Sequence, residues 1–284
     1  MNPRLQPYIA LTRLNRPIGI WLAFFPAAWG VLLSPAPVHG ALLLVMLVGA
    51  TLTRSAGCIL NDITDRKLDA KVARTKTRPL ASGTVPLKAA WLLLVLLGVL
   101  ALYLALLLPL GVMTIALFAV PMIAIYPWMK RFSWWPQLFL GVTFNLGALI
   151  GWAATGMALA LPAWLLYAAC LFWTLGYDTI YAVQDMEDDR QAGIKSTALR
   201  VGRHLRSFVA FCYALMLLFL SLAAFEAGVS LVVYGGIAGA ALHALWQLRL
   251  LGNLAPARAG ALFASNQYLG LLIFVALLIG RYGT

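Results

Sequence analysis

Only nine residues in this chain of 284 are acidic, and eight of them fall in two short runs. "NDITDRKLD" holds Asp62, Asp65 and Asp69, and "YDTIYAVQDMEDD" holds Asp178, Asp185, Glu187, Asp188 and Asp189, leaving Glu226 alone. On a helix, Asn61, Asp65 and Asp69 recur every fourth residue, with Asp62 three before Asp65, so they share a face. Asp178, Asp185 and Asp189, at intervals of seven and four, share another, with Tyr181 close by and with Glu187 and Asp188 turned away. Aligned carboxylates repel one another unless a cation compensates them. Oxygen-only stripes from two helices suit a hard divalent ion, and magnesium shares its shell with phosphate oxygens. The neighbouring bases Arg66, Lys67, Lys71, Arg74, Lys76 and Arg78, then Lys130, Arg131 and Lys195, suit the remaining charge of a phosphorylated substrate. The pattern therefore points to a diphosphate site. A set of solvated caps would explain the charges but not their phasing.

The elements that must position these residues are apolar. The chain is 63% hydrophobic and 11% charged, with a mean hydropathy of +0.89, against roughly 25% charged residues in a soluble domain. These values predict an all-α integral membrane protein. Nine candidate spans fall near 17–34, 40–60, 86–107, 109–128, 136–157, 162–184, 207–227, 229–249 and 261–280, divided by Pro and Gly in "SPAPVHG", "LPLG", "ATGMALALP" and "EAGVS". Of 21 Lys and Arg, all but Arg54 and Arg281 lie ahead of the first span or in alternate connections, which places the N-terminus and both acidic runs on the cytoplasmic side. The same distribution turns the net charge of +12 into topology information and excludes a nucleic-acid partner. Cys58, Cys170 and Cys212 lack metal-type spacing and read as small buried side chains. No removable signal peptide is expected, and residues 1–284 read as a single domain.

"NDITDRKLD" has the form NDxxDxxxD, and "DTIYAVQDMEDD" contains DxxYAxxDxxxD. Together they resemble the paired aspartate motifs of the UbiA superfamily of intramembrane aromatic prenyltransferases. "RSAGCILND", "RTKTRPLASG", "YPWMKR" and "GIKSTALRVG" resemble one branch, the 4-hydroxybenzoate polyprenyltransferases of ubiquinone biosynthesis. The resemblance implies nine helices around a central cavity in the bacterial inner membrane, with magnesium and polyprenyl diphosphate at its cytoplasmic mouth. It implies Asn61, Asp65, Asp69, Asp185 and Asp189 as metal ligands. Asp62 would serve the substrate, Asp178 would lie beside the ligands, and Arg131 with Lys130 would handle the diphosphate. Lys67, Arg74, Arg78 and Lys195 are the further expected substrate-binding bases.

Prenylating the ring of 4-hydroxybenzoate requires an allylic carbocation, a stabilised leaving group and a dry cavity. Tyr126, Trp128, Phe144, Trp173, Tyr177 and Tyr181 are aromatic candidates to face the cation, Tyr181 first because it lies within a motif. Arg54 is a charge inside a span, on the stripe of Asn61 and Asp65, and is expected to meet either the benzoate carboxylate or a motif aspartate. The proton acceptor is Asp178 or a diphosphate oxygen. A haem O or dihydroxynaphthoate prenyltransferase is the nearest rival. A transporter fits less well, because the outer halves of the spans carry almost no ionisable groups.

Overall fold

Apolar runs of about 20 residues must satisfy their own backbone hydrogen bonds in lipid, and here they do so as helices. The computed structural model describes residues 5–37, 39–71, 75–251 and 256–282, and among these there is no strand. The helices are α1 (Gln6–Leu11), α2 (Ile18–Leu33), α3 (Gly40–Asp69), α4 (Leu87–Leu106), α5 (Leu110–Phe132), α6 (Pro136–Phe144), α7 (Leu146–Ala153), α8 (Leu161–Ala182), α9 (Met186–Ala192), α10 (Thr197–Val201), α11 (Leu205–Glu226), α12 (Val232–Leu250) and α13 (Pro256–Tyr282). Proline sits at the start of several, including α6 and α8, where its missing N–H costs no hydrogen bond.

All nine expected spans fall on helix. Six stretches are individually long and apolar enough to cross a membrane: Gly40–Asp69, Leu87–Leu106, Leu110–Phe132, Pro136–Ala153, Thr197–Glu226 and Arg258–Tyr282. The chain is an integral membrane protein. Helix α2, with 16 residues, reaches only about 24 Å at 1.5 Å per residue. Helices α8 and α12 are long enough but carry polar groups such as Thr174 and Asp178, or His243 and Gln247.

The helices differ in what they bury. In α2, 13 of 16 residues are buried, so it is an inner helix. In α4 only Ala90 and Ala105 are, while Leu92, Val95, Val99 and Leu106 stay exposed, as a lipid-facing helix requires. Helices α2 and α7 meet through small residues: a side chain at Gly151 would overlap the Ala27 carbonyl, and one at Gly30 the Ala148 carbonyl. Trp173 of α8 stacks on Trp29 of α2 at 5.1 Å, which seats α8 in the core.

Two interruptions matter for the site. The expected single span 136–157 breaks at Asn145, whose buried amide donates to the Gly141 carbonyl (2.7 Å) and to Thr174 Oγ1 (2.8 Å) of α8. Irregular backbone at such depth is tolerated only where protein satisfies it. After α8, a 3-10 turn (Val183–Asp185) leads into α9, which ends at Gly193. Gly193 takes φ +66°, the left-handed conformation that closes a helix, and the Ile194 N–H bonds back to the Asp189 carbonyl at 2.8 Å.

Candidate active site at the charged end of the bundle

Helix α3 has 30 residues, about 45 Å at 1.5 Å per residue, so its charged end extends beyond the roughly 30 Å of a bilayer core. That end and the α8–α9 junction converge on one cavity of about 230 Å³. Its lining includes Asn61 and Asp69 from α3, Asp178 and Tyr181 from α8, and Asp185, Asp188 and Asp189 from the turn and α9. Arg78, Lys130 and Lys195 supply three cations, and Tyr126 and Tyr181 supply aromatic surface. The Lys195 N–H donates to the Lys130 carbonyl at 2.9 Å, which ties the segment after α9 to the end of α5. Lys195 Nζ also donates to the Phe132 carbonyl (3.1 Å) and lies 5.8 Å from the Trp134 ring centroid.

The other expected residues are placed differently. Asp65 is 1% exposed and is not among the residues lining the cavity; it forms an ion pair with Lys130, and Arg131 Nη2 lies 3.5 Å from its Oδ1. Asp62 is equally buried and receives two 2.8 Å bonds from Arg13 Nη2, with Arg78 Nη1 at 3.3 Å. Arg78 Nη1 also donates to Asp69 Oδ2 at 2.8 Å. Burial pulls the Arg78 pKa down, but Asp62 and Asp69 outweigh it and hold the guanidinium above the ordinary arginine value. Arg131 and Lys67 line a neighbouring cavity, and Arg131 Nη2 reaches the Thr64 carbonyl at 3.3 Å. Arg74 lies outside the described residues. Arg54 is half-buried deeper along α3, with its guanidinium 5.6 Å from the Phe144 ring centroid and in electrostatic reach of Asp178 and Tyr126.

Two residues of the site escape the sequence pattern. Asp188 lines the cavity although an unbroken helical phase turns it away, because the 3-10 turn resets the phase between α8 and α9. Arg13 holds Asp62 across 49 residues and takes φ +60°, uncommon for a residue with a side chain; nothing in local spacing signals it.

The lining donors are carboxylate, amide and hydroxyl oxygens, with no His or Cys among them. Among the described residues no group of three or more His, Cys, Asp or Glu is arranged to hold an ion by itself. Such a set fits magnesium, which binds through one or two carboxylates and completes its shell with water and phosphate oxygens. It does not fit a closed protein cage.

Known proteins agree with this architecture. A profile of the UbiA prenyltransferase family matches residues 23–272. The chain is 41% identical to 4-hydroxybenzoate geranyltransferase 1 of Lithospermum erythrorhizon, covering 98% of this chain and 91% of that protein. It is 37% identical to 4-hydroxybenzoate octaprenyltransferase of Pseudomonas aeruginosa, covering 97% and 93%. A UbiA homolog from Archaeoglobus fulgidus, solved bound to GPP and Mg2+, superposes with a TM-score of 0.73 at 19% identity over 96% of this chain and 99% of that one. With the family profile spanning most of its length and relatives this similar from end to end, the chain belongs to the UbiA prenyltransferase family and is an enzyme of prenyl transfer.

Proposed function

We propose that the enzyme transfers a polyprenyl group from polyprenyl diphosphate to 4-hydroxybenzoate, at the carbon ortho to the hydroxyl and meta to the carboxylate, with magnesium, in ubiquinone biosynthesis. The observation that carries this reading is the meeting of two distant acidic runs with three cations on one cavity, in a chain whose full-length relatives bear the name of that acceptor. The alternation of Lys and Arg supports nine crossings of a bacterial inner membrane, with the site at the cytoplasmic face.

Asn61, Asp69, Asp185 and Asp189 would offer the oxygens for magnesium, one or two carboxylates to an ion with water and diphosphate completing its shell, and Asp65 beside them keeps Lys130 in place. When bound, magnesium supplies Lewis-acid stabilisation to the departing diphosphate. Arg78, Lys130 and Lys195 bind the diphosphate oxygens and stabilise the charge that develops as the allylic C–O bond breaks. Asp62 and Asp69 orient Arg78 for that task. Tyr126 and Tyr181 present aromatic faces to the allylic cation, and Tyr181 is itself packed on Phe263, with ring centroids 4.6 Å apart. The apolar bundle keeps out the water that would quench the cation to an alcohol. Arg54 pairs with the carboxylate of the aromatic acid, so that the ring lies between Arg54 and the diphosphate. The new C–C bond forms at the ring carbon activated by the phenol oxygen. Asp178 lines the cavity within electrostatic reach of Arg54 and takes the ring proton that restores aromaticity.

The test is transfer of labelled 4-hydroxybenzoate into lipid-soluble product by purified enzyme with a prenyl diphosphate and magnesium. Product should form and should vanish with chelator. Equal product in chelator would sink the metal assignment, and product only with haem or dihydroxynaphthoate would move the enzyme to another branch.

A further inference from the structure

A second cavity, of about 550 Å³, adjoins the first and has no part in the chemistry above. Arg66, Lys67, Lys130 and Arg131 line it, and its described lining contains no acid. Leu68, Lys130 and Ile194 line both cavities, so the partition between them is one side chain thick in places. Lys130 therefore faces the acidic cavity on one side and the basic cavity on the other.

Helix-end electrostatics accounts for each of these cations singly, since all four lie in the last turns of α3 and α5. It does not account for their convergence on one cavity. Two features shape that convergence. Arg131 is oriented by the Thr64 carbonyl and by Asp65, and the left-handed turn at Gly193 brings Ile194 to the partition. Asp65, outside the lining, engages Lys130 and Arg131, whereas Arg66 and Lys67 bring further positive charge to the same concave surface, and arginine with lysine there suits phosphate oxygens, the guanidinium offering paired donors to two of them. The two linings are electrically unlike: the first has five carboxylates against three cations, the second four cations and no carboxylate, with Asp65 behind it paired to Lys130 and Arg131.

We propose that the basic cavity is a second, metal-independent binding site for phosphate groups, which receives pyrophosphate released from the first cavity or the headgroup phosphate of a membrane lipid. The pyrophosphate source rests on the prenyl-transfer reading; the binding site does not. An anion freed in the first cavity needs only to pass Lys130 to reach a surface of opposite charge.

The probe is inorganic pyrophosphate, titrated into the full chain in neutral detergent with chelator present. The carboxylate-rich cavity has little affinity for a bare polyanion, so chelator-resistant binding reports on the basic cavity. The expected result is saturable binding that Arg66→Gln together with Lys67→Gln weakens by about tenfold or more, while Lys67→Arg retains it and thermal unfolding stays unchanged. Absence of chelator-resistant binding, or the same affinity in the double variant, overturns the proposal. Phosphatidylglycerol vesicles identify the source: if they displace pyrophosphate where phosphatidylcholine vesicles do not, the cavity takes a lipid headgroup, and if neither does, it takes the released product. No isoprenoid or aromatic acid enters this assay, so its failure and failure of the transfer assay are separate results.

Discussion

Asp62, Asp65 and Asp69 stand on one unbroken helix, whereas Asp178, Asp185 and Asp189 are spread over the end of α8, a 3-10 turn and the start of α9. The first row is held from the side by cations of the chain itself: Arg13 and Arg78 on Asp62, Arg78 on Asp69, Lys130 and Arg131 on Asp65. The second row contributes three of its members to the cavity lining, and Asp188 joins them. One row is thus largely a clamp that fixes bases, and the other presents oxygens to whatever occupies the cavity. The same residue type in similar motifs serves two purposes because the backbone beneath it differs.

This contrast can be broken by substitution. The largest effect is expected for Asp189→Asn, which should lower kcat by about 10²–10³-fold. An undiminished kcat would show that the second row does not act on what the cavity holds. Next, Asp62→Asn should cost about 2 kcal/mol of stability, below the usual loss for a fully buried pair because Arg13 and Arg78 are each 23% exposed. The same change should raise KM for prenyl diphosphate by about tenfold more than it lowers kcat, the scale of losing a group that orients a ligand-binding side chain. Arg13→Gln should reproduce that KM pattern, and an unchanged KM in both variants would remove Asp62 from the support of Arg78. Smallest is Glu187→Gln, which removes an ion pair to Arg190 that is more than half exposed at both ends. Denaturation should shift by less than about 0.5 kcal/mol, and transfer should not change.

The legibility of the sequence follows the same division. The first row could be phased from Asn61 to Asp69 because α3 stays helical through the whole motif. The apolar spans were readable because lipid leaves the backbone no alternative to helix. In the second row Asp178, Asp185 and Asp189 reach the cavity as phased, and only Asp188 departs from the pattern, since a 3-10 turn rotates each residue further than an α-helix does. The break at Asn145 was hidden because it depends on a partner in α8, Thr174. Arg13 reads in the sequence as one of the bases ahead of the first span, and its bond to Asp62 is a long-range contact that no periodicity carries. Lys67 shares the basic run with Arg78 but leaves the helix on the other side, which puts it on the second cavity.

The bond between the Lys195 amide and the Lys130 carbonyl has a consequence for biogenesis. It joins parts of the chain made far apart in time, and the ribosome must deliver everything through Lys195, just past α9, before the pieces can meet. A nascent chain that has inserted α3 and α5 already displays Arg78, Lys130 and the first three aspartates, yet it lacks Asp178, Asp185, Asp189 and Lys195 of the cavity lining. The order of synthesis therefore leaves the cavity without one wall until the second acidic run has been made.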